Sequence, residues 1–127
     1  MTTKISIALA QLDLVVGDIS GNTKLIIEAS EKAKKEYNAD LIVFPELSIS
    51  GYPPEDLLLH SGFKKRIIEA SNKIQQEIIG IDALVGYPEY QEDKIFNSCS
   101  VFSEKKEIVR YRKEALPNYS VFDEKRY

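Results

Sequence analysis

Two charged side chains stand where strand ends can bring them together. Glu46 follows the wholly apolar stretch DLIVF at 40–44, and Lys113 closes the stretch EIVRYRK at 107–113. In open α/β sheets, ligands bind outside the carboxyl ends of strands. A partly desolvated carboxylate at such a place can act as a general base, and a lysine can stabilise a developing oxyanion. The structural alternatives are that Glu46 accepts backbone N–H bonds in its own turn and that Lys113 extends into solvent.

Two further reactive side chains are given structural roles. Cys99 is the one cysteine of the chain. Strand alternation places it on the same face as Asn97 and Val101, and we interpret it as a small buried thiol rather than a nucleophile. His60 has no cysteine or histidine nearby, so we predict a helix-terminus or surface residue and no metal site. The sequence contains no GxGxxG, GxxxxGK[ST] or HExxH motif, so it predicts no site for a nucleotide phosphate.

The composition is typical of one globular domain. The chain has 127 residues, 43% hydrophobic and 29% charged, with a formal net charge of −3. This balance gives no electrostatic reason to expect nucleic acid or an anionic membrane as a partner. No apolar stretch approaches the roughly 20 residues of a membrane span, and the N-terminus lacks a signal-peptide pattern. With a single cysteine there is no disulfide within the chain, and we expect a cytoplasmic protein.

The elements that must position these residues follow from the apolar periodicity. The sequence predicts a helix from Ser20 or Asn22 to near Asn38, a second over about 62–79, and strands at 4–10, 40–44, 82–88, 95–102 and 107–113. The last two strands are joined by the polar turn SEKKE, which predicts a hairpin. The order β-α-β-α-β-β-β predicts an α/β domain with a mixed sheet.

Finer expectations concern packing and boundaries. We expect the strand at 4–10 to be packed on both faces, and Pro88 to stop the third strand. Ser20 or Asn22 is the expected cap of the first helix. The expected apolar face of that helix is Leu25, Ala29, Ala33 and Tyr37. The expected apolar face of the second helix is Phe63, Ile67, Ala70, Ile74 and Ile78, with Gly80 ending the helix.

Two motifs carry a resemblance to a known family. The stretches FPELSISGYPPEDLLL and YRKEALPNYSVFDEKRY resemble the N-terminal amide-hydrolysing domain of glutamine-dependent NAD synthetases, a branch of the nitrilase (carbon–nitrogen hydrolase) superfamily. The similarity runs nearly end to end. The stretch IALAQLDLVVGDISGN is similar to the opening strand and loop of the superfamily, and VGYPE with NSCSVF to its paired strands. The stretches GYPPEDLLL and LPNYSVFDEKRY point more narrowly to the NAD synthetase branch.

The resemblance implies a fold and a set of site residues. The fold would be an incomplete nitrilase-like α-β-β-α sandwich, with residues 1–127 as the N-terminal part of a carbon–nitrogen hydrolase domain. Glu46 matches the general base of the family and Lys113 its lysine. Tyr119 lies in the stretch that shapes the glutamine pocket, and Glu124 stands where many members carry a supporting glutamate. The nucleophilic cysteine of the family lies beyond the lysine motif, so Cys99 is not at the matching position.

The resemblance also implies a reaction. Glutamine is hydrolysed to glutamate and ammonia, and the ammonia feeds ATP-dependent amidation of nicotinic acid adenine dinucleotide to NAD. ATP and Mg²⁺ belong to a C-terminal synthetase domain, and no cofactor is implied for residues 1–127. We expect glutamine as substrate, homo-oligomerisation, and no hydrolysis by this chain alone because the nucleophile lies outside it. The alternatives are a fragment of a stand-alone amidase of the superfamily and a non-catalytic half-domain that pairs with a partner.

Overall fold

The computed structural model describes residues 3–92 and 94–113. Its elements are β1 (Ile7–Leu9), α1 (Ile19–Tyr37), β2 (Leu41–Val43), a 3₁₀ helix (Glu55–Leu59), α2 (Phe63–Glu77), β3 (Asp82–Gln91), β4 (Lys94–Ser103) and β5 (Lys106–Arg112). The predicted order of strands and helices is confirmed. The described helices include none long and apolar enough to cross a bilayer.

One mixed sheet organises the described chain. Its five strands lie in the order β1-β2-β3-β4-β5. The first three are parallel, and β3, β4 and β5 are antiparallel neighbours. The predicted hairpin joins β4 to β5 through Glu104 and Lys105, whose φ angles of 49° and 67° are both positive, as in a type I′ turn.

The two faces of the sheet have different surroundings. The core contains α1, α2 and the inward residues of the sheet, among them Ile42, Ala83, Val85 and Phe102. The opposite face, which we call the open face, is not covered by a described helix. Ile7 and Leu9 point to it and are 54% and 75% exposed. The expectation that the first strand is packed on both faces is therefore wrong for the described residues, because only one layer of helices is present.

Helix α1 begins and packs differently from the prediction. Its N-cap is Asp18, whose Oδ1 accepts a bond from the Gly21 N–H at 3.1 Å. The expected face is also wrong in part, since Ala33 is buried but Tyr37 is 67% exposed. The buried side of α1 consists of Ile19, Asn22, Thr23, Ile26, Ile27, Ser30 and Ala33. Hydroxyl side chains are tolerated there because they bond to the carbonyl four residues earlier, as Ser30 does to Ile26.

The remaining boundaries follow from local chemistry. Helix α1 ends at Asn38, as predicted, and this C-cap residue has the left-handed conformation. The expected face of α2 is confirmed, although the helix ends at Glu77, before Gly80. Pro88 does not stop β3, which continues to Gln91. The proline is tolerated because β2 pairs with β3 only as far as Leu84, so Pro88 pairs on one side with β4 and needs no N–H on the other.

Candidate functional site

The turn that carries Glu46 is tied to the adjacent strand β3. After β2 ends, the Phe44 N–H donates to the Leu84 carbonyl at 3.0 Å. The chain then leaves the sheet through Pro45 and Glu46. It returns at Ser48 Oγ and the Ile49 N–H, both of which donate to the Gly86 carbonyl at 3.2 Å. Glu46 therefore stands on a short turn whose two ends are both bonded to β3.

A buried amide fixes the far side of this turn. Asn22 of α1 is 1% exposed. Its Nδ2 donates to the carbonyls of Val15 at 2.8 Å and Ile49 at 3.1 Å, and its Oδ1 accepts from the Val15 N–H at 2.9 Å. The loop after β1 and the loop after β2 are thus held by one side chain. Because a buried polar group that loses a partner costs stability, this arrangement resists displacement of the Glu46 turn.

Lys113 approaches Glu46 from the β5 edge of the sheet. It directly follows β5, and its N–H donates to the Asn97 carbonyl at 2.8 Å. Its Nζ lies 2.9 Å from Glu46 Oε1, and the two side chains are 31% and 45% exposed. The structure therefore brings together the two residues that the sequence singled out. A half-exposed pair of this kind contributes only about 0–1 kcal/mol to folding, so stability does not explain why it is there.

The pair borders a cavity on the open face. The cavity has a volume of about 260 Å³ and is lined by Phe44, Pro45, Glu46, Leu84, Gly86, Asn97, Ser98, Cys99, Tyr111 and Lys113. Its charged groups are the carboxylate and the ammonium, and much of the remaining wall is apolar. This combination of an apolar wall with a few convergent polar groups is typical of small-molecule sites.

Cys99 faces the same cavity. It pairs with Gly86 of β3 on one side and with Tyr111 of β5 on the other. The predicted alternation along β4 is confirmed, but Cys99 is half-buried rather than buried. Burial raises the pKa of the Cys99 thiol, and the negative charge of Glu46 raises it further. A nucleophilic cysteine needs the opposite shift, so the environment agrees with a non-nucleophilic thiol.

A polar network on the other face of the sheet supports β5, the strand that ends beside Lys113. Glu89 of β3 is 6% exposed. It accepts bonds from Ser98 Oγ at 2.8 Å, Arg112 Nε at 3.0 Å and Arg110 Nη1 at 2.9 Å. Glu107 binds Arg110 and accepts from Ser100 at 2.8 Å. The network joins β3, β4 and β5. Among the described residues, every buried side-chain nitrogen or oxygen atom has a hydrogen-bond partner.

This network has a clear electrostatic signature. The hydrogen bonds from Arg112 lower the pKa of Glu89 to about 2, against the opposing effect of burial. Arg110 likewise lowers the pKa of Glu107. The carboxylates are thus held as anions and act as anchors for the arginines of β5 rather than as proton carriers.

Other predicted residues have simpler outcomes. His60 is exposed and follows the 3₁₀ helix as its C-cap, as expected of a helix-terminus residue. Among residues 3–92 and 94–113, no group of three or more histidine, cysteine or carboxylate residues is arranged to hold a metal ion. Tyr119 and Glu124 lie outside the described residues, so their predicted roles stay predictions.

Of the ten residues that line the cavity, sequence reasoning singled out only Glu46, Cys99 and Lys113 as candidates. Asn97 and Tyr111 line it, and Gly86 lies beneath the Glu46 turn. Alternation along β4 placed Asn97 beside Cys99 but could not show which face the turn would cross. Gly86 carries no chemical signal in the sequence, because its contribution is the absence of a side chain.

The arrangement suits attack on a neutral, planar carbonyl group. A carboxylate at the rim can accept a proton from an attacking thiol or water, and an ammonium within 3 Å of it can stabilise the resulting negative charge on oxygen. Among the described residues, Glu46 and Lys113 have the chemistry that these two roles require, whereas the raised pKa of Cys99 does not suit a nucleophile.

Comparisons with known proteins show the family to which the chain belongs. Residues 6–127 match the family model described as carbon-nitrogen hydrolase. The chain is 48% identical over 121 residues to the glutamine-dependent NAD(+) synthetase of Xanthomonas campestris pv. campestris, covering 95% of this chain and 22% of that protein. The relative of the same name from Xylella fastidiosa is 44% identical over 127 residues, covering 100% of this chain and 23% of the relative. The chain thus spans less than a quarter of either relative.

Solved structures show the same relationship. The glutamine-dependent NAD+ synthetase of Acinetobacter baumannii superposes with a TM-score of 0.90 at 43% identity, over 97% of this chain and 23% of that one. An amidase from Nesterenkonia sp. superposes with a TM-score of 0.79 at 23% identity, over 93% of this chain and 45% of the amidase, which shows a shared fold. Because the family model matches residues 6–127, which include the paired Glu46 and Lys113, this chain belongs to the carbon-nitrogen hydrolase family.

Proposed function

We propose that this chain is part of a glutamine-hydrolysing domain that supplies ammonia for NAD synthesis. The observation that carries the proposal is the 2.9 Å contact between Glu46 and Lys113 at the rim of an apolar cavity. The similarity to glutamine-dependent NAD synthetases over nearly the whole chain supports glutamine as the substrate. On this proposal residues 1–127 form the N-terminal part of the hydrolase domain.

The two residues have distinct roles in the proposed reaction. Glu46 takes the proton of a cysteine thiol supplied from outside the described residues, and the thiolate attacks the carboxamide carbon of glutamine. Lys113 stabilises the negative charge on the carbonyl oxygen. Glu46 returns the proton to the amide nitrogen as the intermediate collapses, so that ammonia leaves and a thioester remains. Glu46 then activates a water molecule that hydrolyses the thioester to glutamate and regenerates the thiol.

The finer assignments belong to the same proposal. Tyr119 would help to shape the glutamine pocket and Glu124 would support the catalytic glutamate. ATP and Mg²⁺ would be used by a separate synthetase domain in amidating nicotinic acid adenine dinucleotide. No role for a cofactor is proposed within residues 1–127.

Glutamate release from glutamine by the complete gene product tests the proposal. We expect Glu46→Gln and Lys113→Met each to lower kcat by at least about a hundredfold, the usual effect of removing a general base or an oxyanion stabiliser. Glu55→Gln and Lys106→Met are matched controls, because both residues are exposed and neither lines the cavity. Activity that survives both site substitutions would rule out the assigned roles. An active hydrolase that forms no NAD would restrict the proposal to the amidase step.

The exposed apolar side chains of the open face favour a second layer of protein against it in the complete protein. Ile7, Leu9, Val109 and Tyr111 point to it, and each is more than half exposed. Exposed apolar patches on this scale usually mark contact surfaces. We propose that further chain, or another copy in a homo-oligomer, covers this face. Size-exclusion chromatography with light scattering tests the homo-oligomer, and a monomer across the micromolar range would exclude it.

A further inference from the structure

The Glu46 turn and Lys113 belong to strands that are not neighbours. Glu46 follows β2 and Lys113 follows β5, so β3 and β4 lie between them. Three inter-strand spacings amount to roughly 14 Å, yet the carboxylate and the ammonium are 2.9 Å apart. The turn must therefore lean across β3 towards β5 for the pair to form.

Gly86 of β3 lies directly under the leaning turn. A Cβ at this position would lie 2.7 Å from the Leu47 nitrogen, 2.9 Å from the Pro45 oxygen and 3.2 Å from the Glu46 carbonyl carbon. All three are backbone atoms, so a side chain here could not be accommodated by a rotamer change. The backbone of the turn would have to move away from β3.

The turn is also bound to Gly86 at its C-terminal end. Ser48 Oγ and the Ile49 N–H both donate to the Gly86 carbonyl. Leu47, between Glu46 and these anchors, has a φ of +51°, a conformation that non-glycine residues adopt only where the surroundings enforce it. Close contact on one side and hydrogen bonds on the other thus fix one position of the turn.

We propose that Gly86 is a positioning residue for Glu46: its missing side chain lets the Glu46 turn cross β3 and reach Lys113. The catalytic consequence rests on the proposed function, in which Glu46 is the general base. The positioning itself does not rest on it and can be measured without any turnover.

Cys99 provides the measurement. It is the only thiol of the chain, it is the cross-strand partner of Gly86, and it lines the cavity with Glu46. The charge of Glu46 contributes to the raised pKa of this thiol. The pH dependence of Cys99 alkylation by iodoacetamide therefore reports where the carboxylate is, and Glu46→Gln gives the value for a site without the charge.

The experiment compares the alkylation rates of Cys99, followed by peptide mass mapping, in the complete gene product and its Gly86→Ala variant between pH 7 and pH 10. We expect Gly86→Ala to shift the pH profile downwards to that of Glu46→Gln, with alkylation at pH 8 faster by about threefold, as when one charge leaves a half-exposed site. A methyl that merely shielded Cys99 would slow the reaction. An unchanged or slower profile would overturn the proposal.

Two further variants separate positioning from stability. Ala70→Gly weakens α2 on the opposite side of the sheet and should leave the Cys99 profile unchanged. Ser48→Ala removes one anchor of the turn without adding bulk, and should shift the profile in the same direction by a smaller amount. If Gly86→Ala does not fold, Ser48→Ala decides the matter, and an unchanged profile in that variant counts against the proposal.

Turnover in the complete gene product gives the catalytic readout. Displacement of the base predicts a lower kcat for Gly86→Ala with little change in KM. A wild-type protein without glutaminase activity would contradict the proposed function but leave the Cys99 result standing. An active wild type whose Gly86→Ala variant keeps full kcat would contradict the positioning role alone.

Discussion

Glu89→Gln is expected to weaken the sheet through a defined loss of hydrogen bonds. The carboxylate accepts two bonds at Oε2, from Arg110 Nη1 at 2.9 Å and Arg112 Nη2 at 2.8 Å. In the Gln variant an NH₂ group replaces one carboxylate oxygen. Because this group donates hydrogen bonds, it cannot accept those of the arginine that faced the lost oxygen. Bonds to charged groups contribute about 1.5–3 kcal/mol each. Because the arginines are 45% and 43% exposed and can return to water, we expect a net loss of about 2 kcal/mol in the free energy of unfolding.

The pH dependence of this loss provides a stricter test. The folded-state pKa of Glu89 is about 2, below its ordinary value of 4.5. The stabilisation is therefore complete above pH 4.5 and is lost as the pH falls towards 2. The stabilities of the wild type and Glu89→Gln should converge over that window.

Urea denaturation followed by circular dichroism measures both effects. At pH 7 the midpoint should fall by about 1 M for a loss of this size. Glu92→Gln makes the same charge change at an exposed position and should stay within about 0.5 kcal/mol of wild type. A Glu89→Gln variant as stable as Glu92→Gln, or a deficit that is as large at pH 2.5 as at pH 7, would refute the reasoning.

The remaining predictions concern packing, capping and the site. Ile74→Ala should lower the free energy of unfolding by about 2–5 kcal/mol because Ile74 is fully buried. Ile68→Ala on the same helix should lower it far less because Ile68 is 46% exposed, and chemical denaturation measures both variants. Asp18→Ala should cost about 1 kcal/mol as the loss of a cap; equal effects of Asp18→Ala and Ser20→Ala on thermal stability would contradict the cap assignment. Glu46→Gln should change the free energy of unfolding by less than about 1 kcal/mol, and a larger change in urea melts would show that the ion pair is structural.

The strands and helices were largely predictable because their signals are local. The apolar stretch before Glu46 and the periodicity of α2 required no knowledge of neighbours. Boundaries that depend on neighbours were not predictable. Pro88 stays in β3 only because β2 is too short to pair opposite it. Asp18 caps α1 in place of Ser20 or Asn22, and the side chain of Asn22 bonds instead to Val15 in the loop before the helix, a contact that the sequence does not reveal.

The two charged residues of the candidate site could be predicted from the sequence, but the residues that hold them together could not. Glu46 and Lys113 stand at strand ends, a position that carries meaning in any α/β sheet. Their contact depends on the strand order and on a turn that leans over Gly86, neither of which the spacing of residues contains. The buried face of α1 was misassigned for a similar reason: several of its inward residues are polar and bond within the helix or across loops, so apolar periodicity passes over them.

The most direct test of the account is a double-mutant cycle on Glu46 and Lys113 in the complete gene product, with kcat for glutamine hydrolysis as the readout. Residues that act as one unit in the same step give strongly non-additive effects. We predict that Glu46→Gln with Lys113→Met loses little more activity than the more damaging single variant. Effects that multiply, or single variants that retain near wild-type kcat, would contradict the claim that the pair is the catalytic unit of this chain.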